Sequence, residues 1–198
     1  MQAEALILAG GRSTRMGGVH KGSLTYKDAA FTQILIKEFQ REDICVRISY
    51  GIKIRKDCGG CPVIMDIYPG CGPIGGIHAG LKGCGSKWLA VAACDMPFLK
   101  IELFRYLMDR LFQAEKEGGQ YSGAVPVTDG RVHPLAAIYH RGAADILEEE
   151  IRQGNYRLKD ALKRLNILYA DLTGQKIFEE MLQNINTVEE YERLKENE

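Results

Sequence analysis

Three short apolar runs each end in residues suited to chemistry. Ala5–Ala9 passes into Gly10-Gly11, Pro62–Met65 into Asp66, and Leu89–Cys94 into Asp95. Glycine has no Cβ, so a glycine-rich turn can bring bare backbone N–H groups up to phosphate oxygens. Arg15 and Lys21 come after that turn, and no carboxylate interrupts the chain before Asp28. Their charge suits phosphate. Mg²⁺ prefers one or two carboxylates together with phosphates and water, which Asp66 and Asp95 could supply. These residue types point to a nucleoside triphosphate bound with Mg²⁺. The common fingerprints do not fit. The stretch from Gly10 to Arg15 lacks the third glycine of G-x-G-x-x-G, and Lys21 is followed by Gly22 where a Walker A loop needs Ser or Thr.

Placing these residues on one edge requires alternating strands and helices. The apolar pattern predicts strands at Ala5–Ala9, Ile44–Tyr50, Pro62–Met65, Leu89–Cys94, Gly123–Val127, Leu135–Tyr139 and Ile167–Asp171. Helices are predicted at Phe31–Phe39, Pro73–Leu81, Ile101–Lys116, Gly142–Gln153 and Leu158–Leu165. The third has Phe104, Leu107, Met108 and Leu111 on one face. Thr187 with Glu190 three residues on predicts a capping box for a last helix. Such alternation predicts an α/β fold with a Rossmann-like, mostly parallel sheet and helices on both faces. In open α/β sheets, ligands bind beyond the carboxyl ends of the strands, where the glycines and both aspartates would stand.

Composition narrows the function classes. The 198 residues fit a single domain, 1–198, and balance 26 basic against 26 acidic side chains. A zero net charge argues against bulk affinity for nucleic acid or membrane. The apolar run near the start is too short for a signal peptide or membrane span, so a cytoplasmic location is expected. In that compartment the six cysteines are expected as free thiols.

The stretch LAGGRSTRMGGVHKG resembles the signature loop of nucleotidyltransferases. The doubled glycine after Met16 and the subsequent Lys-Gly are similar to the molybdenum cofactor guanylyltransferases, the MobA-like enzymes. VIMDIYPGCGPIGGIHAGL, VAACDMPFL, HPLAAIY and NINTVEEY resemble further blocks of that family, in the same order, so the likeness spans Leu6 to Tyr191. It implies transfer of GMP from GTP to molybdopterin with release of pyrophosphate. It also implies Mg²⁺ as cofactor, and a molybdenum insertase or molybdoenzyme chaperone as a partner. By match, Leu8, Ala9 and Gly10 would meet guanine and ribose through the backbone. Lys21 would bind phosphates, Asp66 the nucleotide, and Asp95 the magnesium. Ser49 stands where many relatives place a nucleotide-contacting asparagine. His133, Arg157, Asn184 and Asn186 would fall on the pterin side or the catalytic rim. Arg15, Lys21 and Asp95 are the expected catalytic set.

Two positions depart from the family pattern. His20 replaces an aspartate before the lysine, and Val188 replaces a proline. Other readings remain open. A related nucleotidyltransferase could use CTP or a sugar phosphate. Cys58-Gly-Gly-Cys61 could serve a metal or thiol sensor, although Zn sites usually need four clear ligands.

Overall fold

The computed structural model describes residues 2–10, 22, 24–51 and 59–196. Inside its main sheet lies the strand β1 (Ala3–Leu8), whose six residues are all buried. Ala3, Ala5 and Ile7 face one side of the sheet and Leu6 and Leu8 the other. A strand covered on both faces reads as a continuous apolar run, which is why AEALIL does not alternate.

After a short hairpin of β2 (Thr25–Tyr26) and β3 (Ala29–Ala30), α1 (Phe31–Gln40) leads to β4 (Val46–Ser49) and then β5 (Val63–Ile64). The helix α2 (Pro73–Gly83) returns the chain to β6 (Trp88–Ala93), and α3 (Ile101–Lys116) to β7 (Gly123–Thr128). The chain continues through β8 (Arg131–Val132), β9 (Ala136–His140), α4 (Ala143–Arg152), α5 (Leu158–Arg164), β10 (Ile167–Asp171), α6 (Lys176–Met181) and α7 (Val188–Glu196). The main sheet has the order β10-β7-β9-β6-β1-β4-β5, with β8 paired to β7. Pairings are parallel except at β9, which runs antiparallel to both neighbours, and at the β7–β8 hairpin. The expected mostly parallel α/β architecture is therefore the observed one.

Helices cover both faces. Leu35, Ile36 and Phe39 of α1 pack with Phe104, Leu107 and Leu111 of α3 against one face. Ile74, Ile77 and Leu81 of α2 pack with Leu147, Leu158 and Leu162 against the other. The predicted α3 face is the buried one, and Phe104, Leu107, Met108 and Leu111 are each at most 3% exposed. At roughly 25 cal/mol per Å² of apolar surface removed from water, such side chains contribute about 1.5–3 kcal/mol each.

A third, separate cluster joins Leu24 and Phe31 to Ile185 and Leu194, with Tyr26, Ile34, Phe98 and Tyr191 packed on it. It fastens the C-terminal helix to the hairpin. The predicted capping box is formed there. The amides of Asn186 and Thr187 donate to Glu190 Oε2 at 2.6 and 3.1 Å, and the Glu190 amide donates to Thr187 Oγ1 at 3.2 Å.

Candidate active site

The strand directions decide which side chains meet. The strands β1, β4, β5 and β6 run parallel, so Ala9-Gly10, Ser49, Asp66 and Asp95 all emerge on one edge. The strand β1 lies between β4 and β6, and its helix α1 crosses one face while α2 covers the other. A crevice at such a reversal of strand order is where open α/β sheets bind ligands.

Close approach shapes the turn after β1. The amides of Ala9 and Gly10 both donate to the Ser49 carbonyl, at 2.8 and 3.1 Å. A Cβ on Gly10 would stand 2.9 Å from the carbonyl carbon of Tyr50 and 3.0 Å from the amide nitrogen of Gly51. Only glycine lets the two chain segments lie so close. At Gly76 a Cβ would meet Leu8 Cδ2 at 2.8 Å and Ser49 Oγ at 3.0 Å, so the first turn of α2 rests directly on β1 and β4.

Asp66 stands against that turn. Its Oδ1 accepts a hydrogen bond from Ser49 Oγ at 3.0 Å, and no cation lies within salt-bridge range of it among the described residues. Burial pushes its carboxyl above the usual range, partly offset by the Ser49 hydroxyl. Ser49 itself is only 2% exposed. Its side chain supports Asp66. Asp95 comes just after β6 and is half-buried, and its carbonyl accepts the amide of Ile185 at 2.8 Å. That bond ties the Asp95 turn to the segment carrying Asn184 and Asn186.

The antiparallel course of β9 brings a second set of residues to the same edge. Because β9 starts where β6 ends, with the Ala93 amide donating to Leu135 O at 2.9 Å, His133 and Pro134 stand beside that edge. The strand β7 ends there too, at Thr128, and turns through Asp129-Gly130 into β8. Both turn residues have positive φ, 49° and 72°. A groove of about 870 Å³ opens between this hairpin and the C-terminal segment. Thr128, Arg131 and His133 line one wall, and Asn184, Ile185 and Arg193 the opposite one, with Tyr26 and Phe98 at its end.

His133 is 6% exposed, and its Nε2 lies 2.7 Å from Thr128 Oγ1. Burial, helped by the positive charges of Arg131 and Lys159, lowers its pKa to about 4. At neutral pH the groove therefore presents an uncharged imidazole. The Tyr139 hydroxyl donates to Pro134 O at 2.7 Å and fixes the adjoining backbone. Asn184 Oδ1 is buried and has no hydrogen-bond partner among the described residues.

Of the expected acceptor-side residues, the groove brings together His133 and Asn184. Arg157, at the exposed start of α5, and Asn186, in the capping box, do not line it. Arg15 and Lys21 lie outside the described residues, as do His20 and Cys58. Tyr26, Thr128, Arg131 and Arg193 are not among the expected site residues. Asp129-Gly130 between Val127 and Val132 is a hairpin signal that would have placed two of them.

The carboxylates suit a cation shared with a ligand better than a closed protein cage. Among the described residues no three His, Cys, Asp or Glu side chains gather to hold a metal. Mg²⁺ held by one or two carboxylates with phosphate and water has that requirement. The described cysteines Cys45, Cys71 and Cys84 are free thiols.

Residues 5–168 match the MobA-like NTP transferase domain. The chain belongs to that family. It is 34% identical over 199 residues to a probable molybdenum cofactor guanylyltransferase of Clostridium perfringens, covering 98% of this chain and 96% of the relative. A crystal structure of molybdopterin-guanine dinucleotide biosynthesis protein A from Archaeoglobus fulgidus superposes with a TM-score of 0.77 at 27% identity, over 98% and 97% of the two chains. A Mycobacterium tuberculosis protein solved in complex with manganese shares the fold at TM-score 0.62 and 16% identity, over all of both chains. The MobA-like chain is thus a nucleotidyltransferase.

Proposed function

We propose that this MobA-like enzyme transfers GMP from GTP to molybdopterin, giving molybdopterin guanine dinucleotide and pyrophosphate. The observation that carries this reading is the pairing of two unlike sites on one sheet edge. A bare backbone turn flanked by Asp66 and Asp95 adjoins a roomy groove lined by an uncharged imidazole and a carboxamide. The first suits a nucleotide, and the second suits a polar heterocyclic acceptor. Relatives named as guanylyltransferases supply the choice of GTP and molybdopterin.

In this reading the backbone of Leu8, Ala9 and Gly10 faces guanine and ribose. Arg15 and Lys21 neutralise the triphosphate, and Asp66, steadied by Ser49, holds the nucleotide. Asp95 is the ligand for Mg²⁺. When bound, that ion supplies charge stabilisation at the α-phosphate and the leaving pyrophosphate. His133 and Asn184 orient the acceptor within the groove, and Arg157 and Asn186 meet the part of it that extends beyond. The nucleophile is a phosphate monoester, ionised at neutral pH, so no general base is required. Its oxygen forms a bond to the α-phosphorus as the bond to the β-phosphate oxygen breaks. Alignment and charge stabilisation then account for the rate. The reading places the enzyme in the cytoplasm, with its product passed to an insertase or molybdoenzyme chaperone.

The direct test is pyrophosphate release with molybdopterin and Mg²⁺, comparing GTP with CTP. Release with GTP, dependent on the acceptor, is expected. Equal or faster release with CTP would overturn the guanylyl assignment, and release with neither would overturn the reaction.

A further inference from the structure

Between β5 and α2 the chain passes from Met65 to Gly72 without strand or helix. Two side chains of this segment reach other elements. Asp66 accepts the Ser49 hydroxyl on β4, and two residues on, the Tyr68 hydroxyl donates to Glu148 Oε1 on α4 at 2.8 Å. The second contact joins positions 80 apart in the chain. Both neighbours of Asp66 are exposed, Met65 at 49% and Ile67 at 55%, so neither packs the carboxylate into the core. Tyr68 does pack, on the cluster between α2, α4 and the sheet.

The anchor on α4 is a built one. Glu148 also accepts Arg152 Nη2, and its Oε2 lies 3.3 Å from Lys82 Nζ on α2. The Tyr68 hydroxyl and Lys82 hold its carboxyl well below the usual range, at about 2, so it stays charged throughout the neutral range. A hydrogen bond to a charged acceptor is stronger than one between neutral groups. Arg152 Nε donates to the Tyr68 hydroxyl from the other side at 3.3 Å. The Tyr68 ring rests on that of His78, with centroids 5.4 Å apart, and His78 is 1% exposed. The path from this anchor to Asp66 is short. A Cβ on Gly75, in the first turn of α2, would stand 3.1 Å from the Tyr68 carbonyl oxygen and 3.4 Å from Asp66 Oδ2. The Tyr68 main chain and the Asp66 carboxylate therefore lie against the same glycine.

We propose that Tyr68 is a positioning residue for nucleotide binding, whose bond to Glu148 fixes the segment that presents Asp66 at the ligand edge. This rests on the reading of Asp66 as a nucleotide contact. Tyr68 acts through Asp66 and needs no contact with the nucleotide. A carboxylate on a fixed segment loses little freedom when a ligand arrives, whereas one on a loose segment must be ordered on binding, which weakens affinity.

The experiment is a double-mutant cycle read as GTP affinity in Mg²⁺ without acceptor. Tyr68→Phe keeps the ring on His78 and removes only the hydroxyl, and Glu148→Ala removes its acceptor. Each is expected to weaken GTP binding by about fivefold, within the range of couplings inside one hydrogen-bond network. With Asp66→Ala present, neither should weaken it further, because the group they position is gone. Lys82→Ala leaves the Tyr68–Glu148 bond in place and should bind GTP within about twofold of wild type. In turnover with molybdopterin, Tyr68→Phe should raise KM for GTP and leave kcat, as expected when only ground-state binding is lost.

A Tyr68→Phe protein that binds GTP like wild type would overturn the inference. So would a loss of equal size with and without Asp66→Ala, since the tyrosine would then act on the fold and not on Asp66. An equal loss in Lys82→Ala, or a fall in kcat without a rise in KM, would overturn it as well. Should Tyr68→Phe fail to fold, Glu148→Ala carries the same test. A different result separates the inference from the reading beneath it. If Asp66→Ala alone leaves GTP affinity unchanged, the nucleotide reading of Asp66 falls first and the role of Tyr68 with it.

Discussion

The two edges of one sheet treat carboxylates in opposite ways. At the amino edge, Glu4 in β1 is met by two amides and a guanidinium. Its Oε1 accepts the amides of Gly85 and Ser86 at 2.7 and 3.0 Å, and its Oε2 lies 3.0 Å from Arg47 Nη1. At the carboxyl edge, Asp66 receives the Ser49 hydroxyl and is held in surroundings that disfavour its charge. A carboxylate surrounded by donors stabilises a fold. One kept short of them retains lone pairs for a ligand, at some expense in stability. The difference separates foundation from site within a single sheet.

The sharpest way to break the comparison is at Asp95. Asp95→Asn keeps the shape and removes the charge, and turnover should fall below about a tenth of wild type, a barrier rise above ~1.4 kcal/mol. The midpoint of thermal unfolding should barely move. A steady-state rate alongside a melting curve checks both, and a variant retaining most of its activity would place Asp95 with the foundation.

Glu4→Gln should do the reverse. Losing a charge that accepts two amides and faces Arg47 should remove about 2 kcal/mol of stability, since hydrogen bonds to charged groups contribute roughly 1.5–3 kcal/mol. Activity per folded molecule should stay unchanged. Denaturant titration with an activity assay in buffer decides it.

The smallest effect concerns Asp66 and carries the opposite sign. Burial raises its folded pKa above the ordinary 3.8, so over that interval the folded protein keeps a proton that the unfolded chain has lost. The stabilisation this gives is complete below the ordinary value and is lost as pH rises through the folded one. Asp66→Asn should therefore melt slightly higher than wild type near pH 7, with the gap narrowing toward about pH 4, while nucleotide binding weakens. Melting curves across that range, paired with nucleotide titration, provide the check.

The nucleotide half was legible in sequence for a physical reason. Parallel strands buried on both faces appear as unbroken apolar runs, and the residues just past their carboxyl ends, Gly10, Asp66 and Asp95, must lie on the ligand edge. Strand lengths were less legible. The expected strand Pro62–Met65 is reduced to Val63–Ile64, because β5 is an edge strand paired only with β4. The groove was largely hidden. Its walls come from positions as distant as Tyr26 and Arg193, and no period in the sequence joins them. The two-residue strands β2, β3 and β8 and the six-residue helix α6 are too short to show a periodic pattern. His133 and Asn184 were reached through family likeness, whereas the tie of Tyr191 to Thr25 shows only in the structure.

That contact spans 166 positions of the chain. All ten described strands lie before residue 172, so the sheet needs nothing from the last helix. Proteins emerge from the ribosome in order, and their folding tracks synthesis. The sheet can therefore assemble before the segment after β10 is made. The groove wall and the hold on Thr25 come later, with Asn184 to Leu194. A product cut short after β10 would keep every described strand of the scaffold without the wall that receives an acceptor.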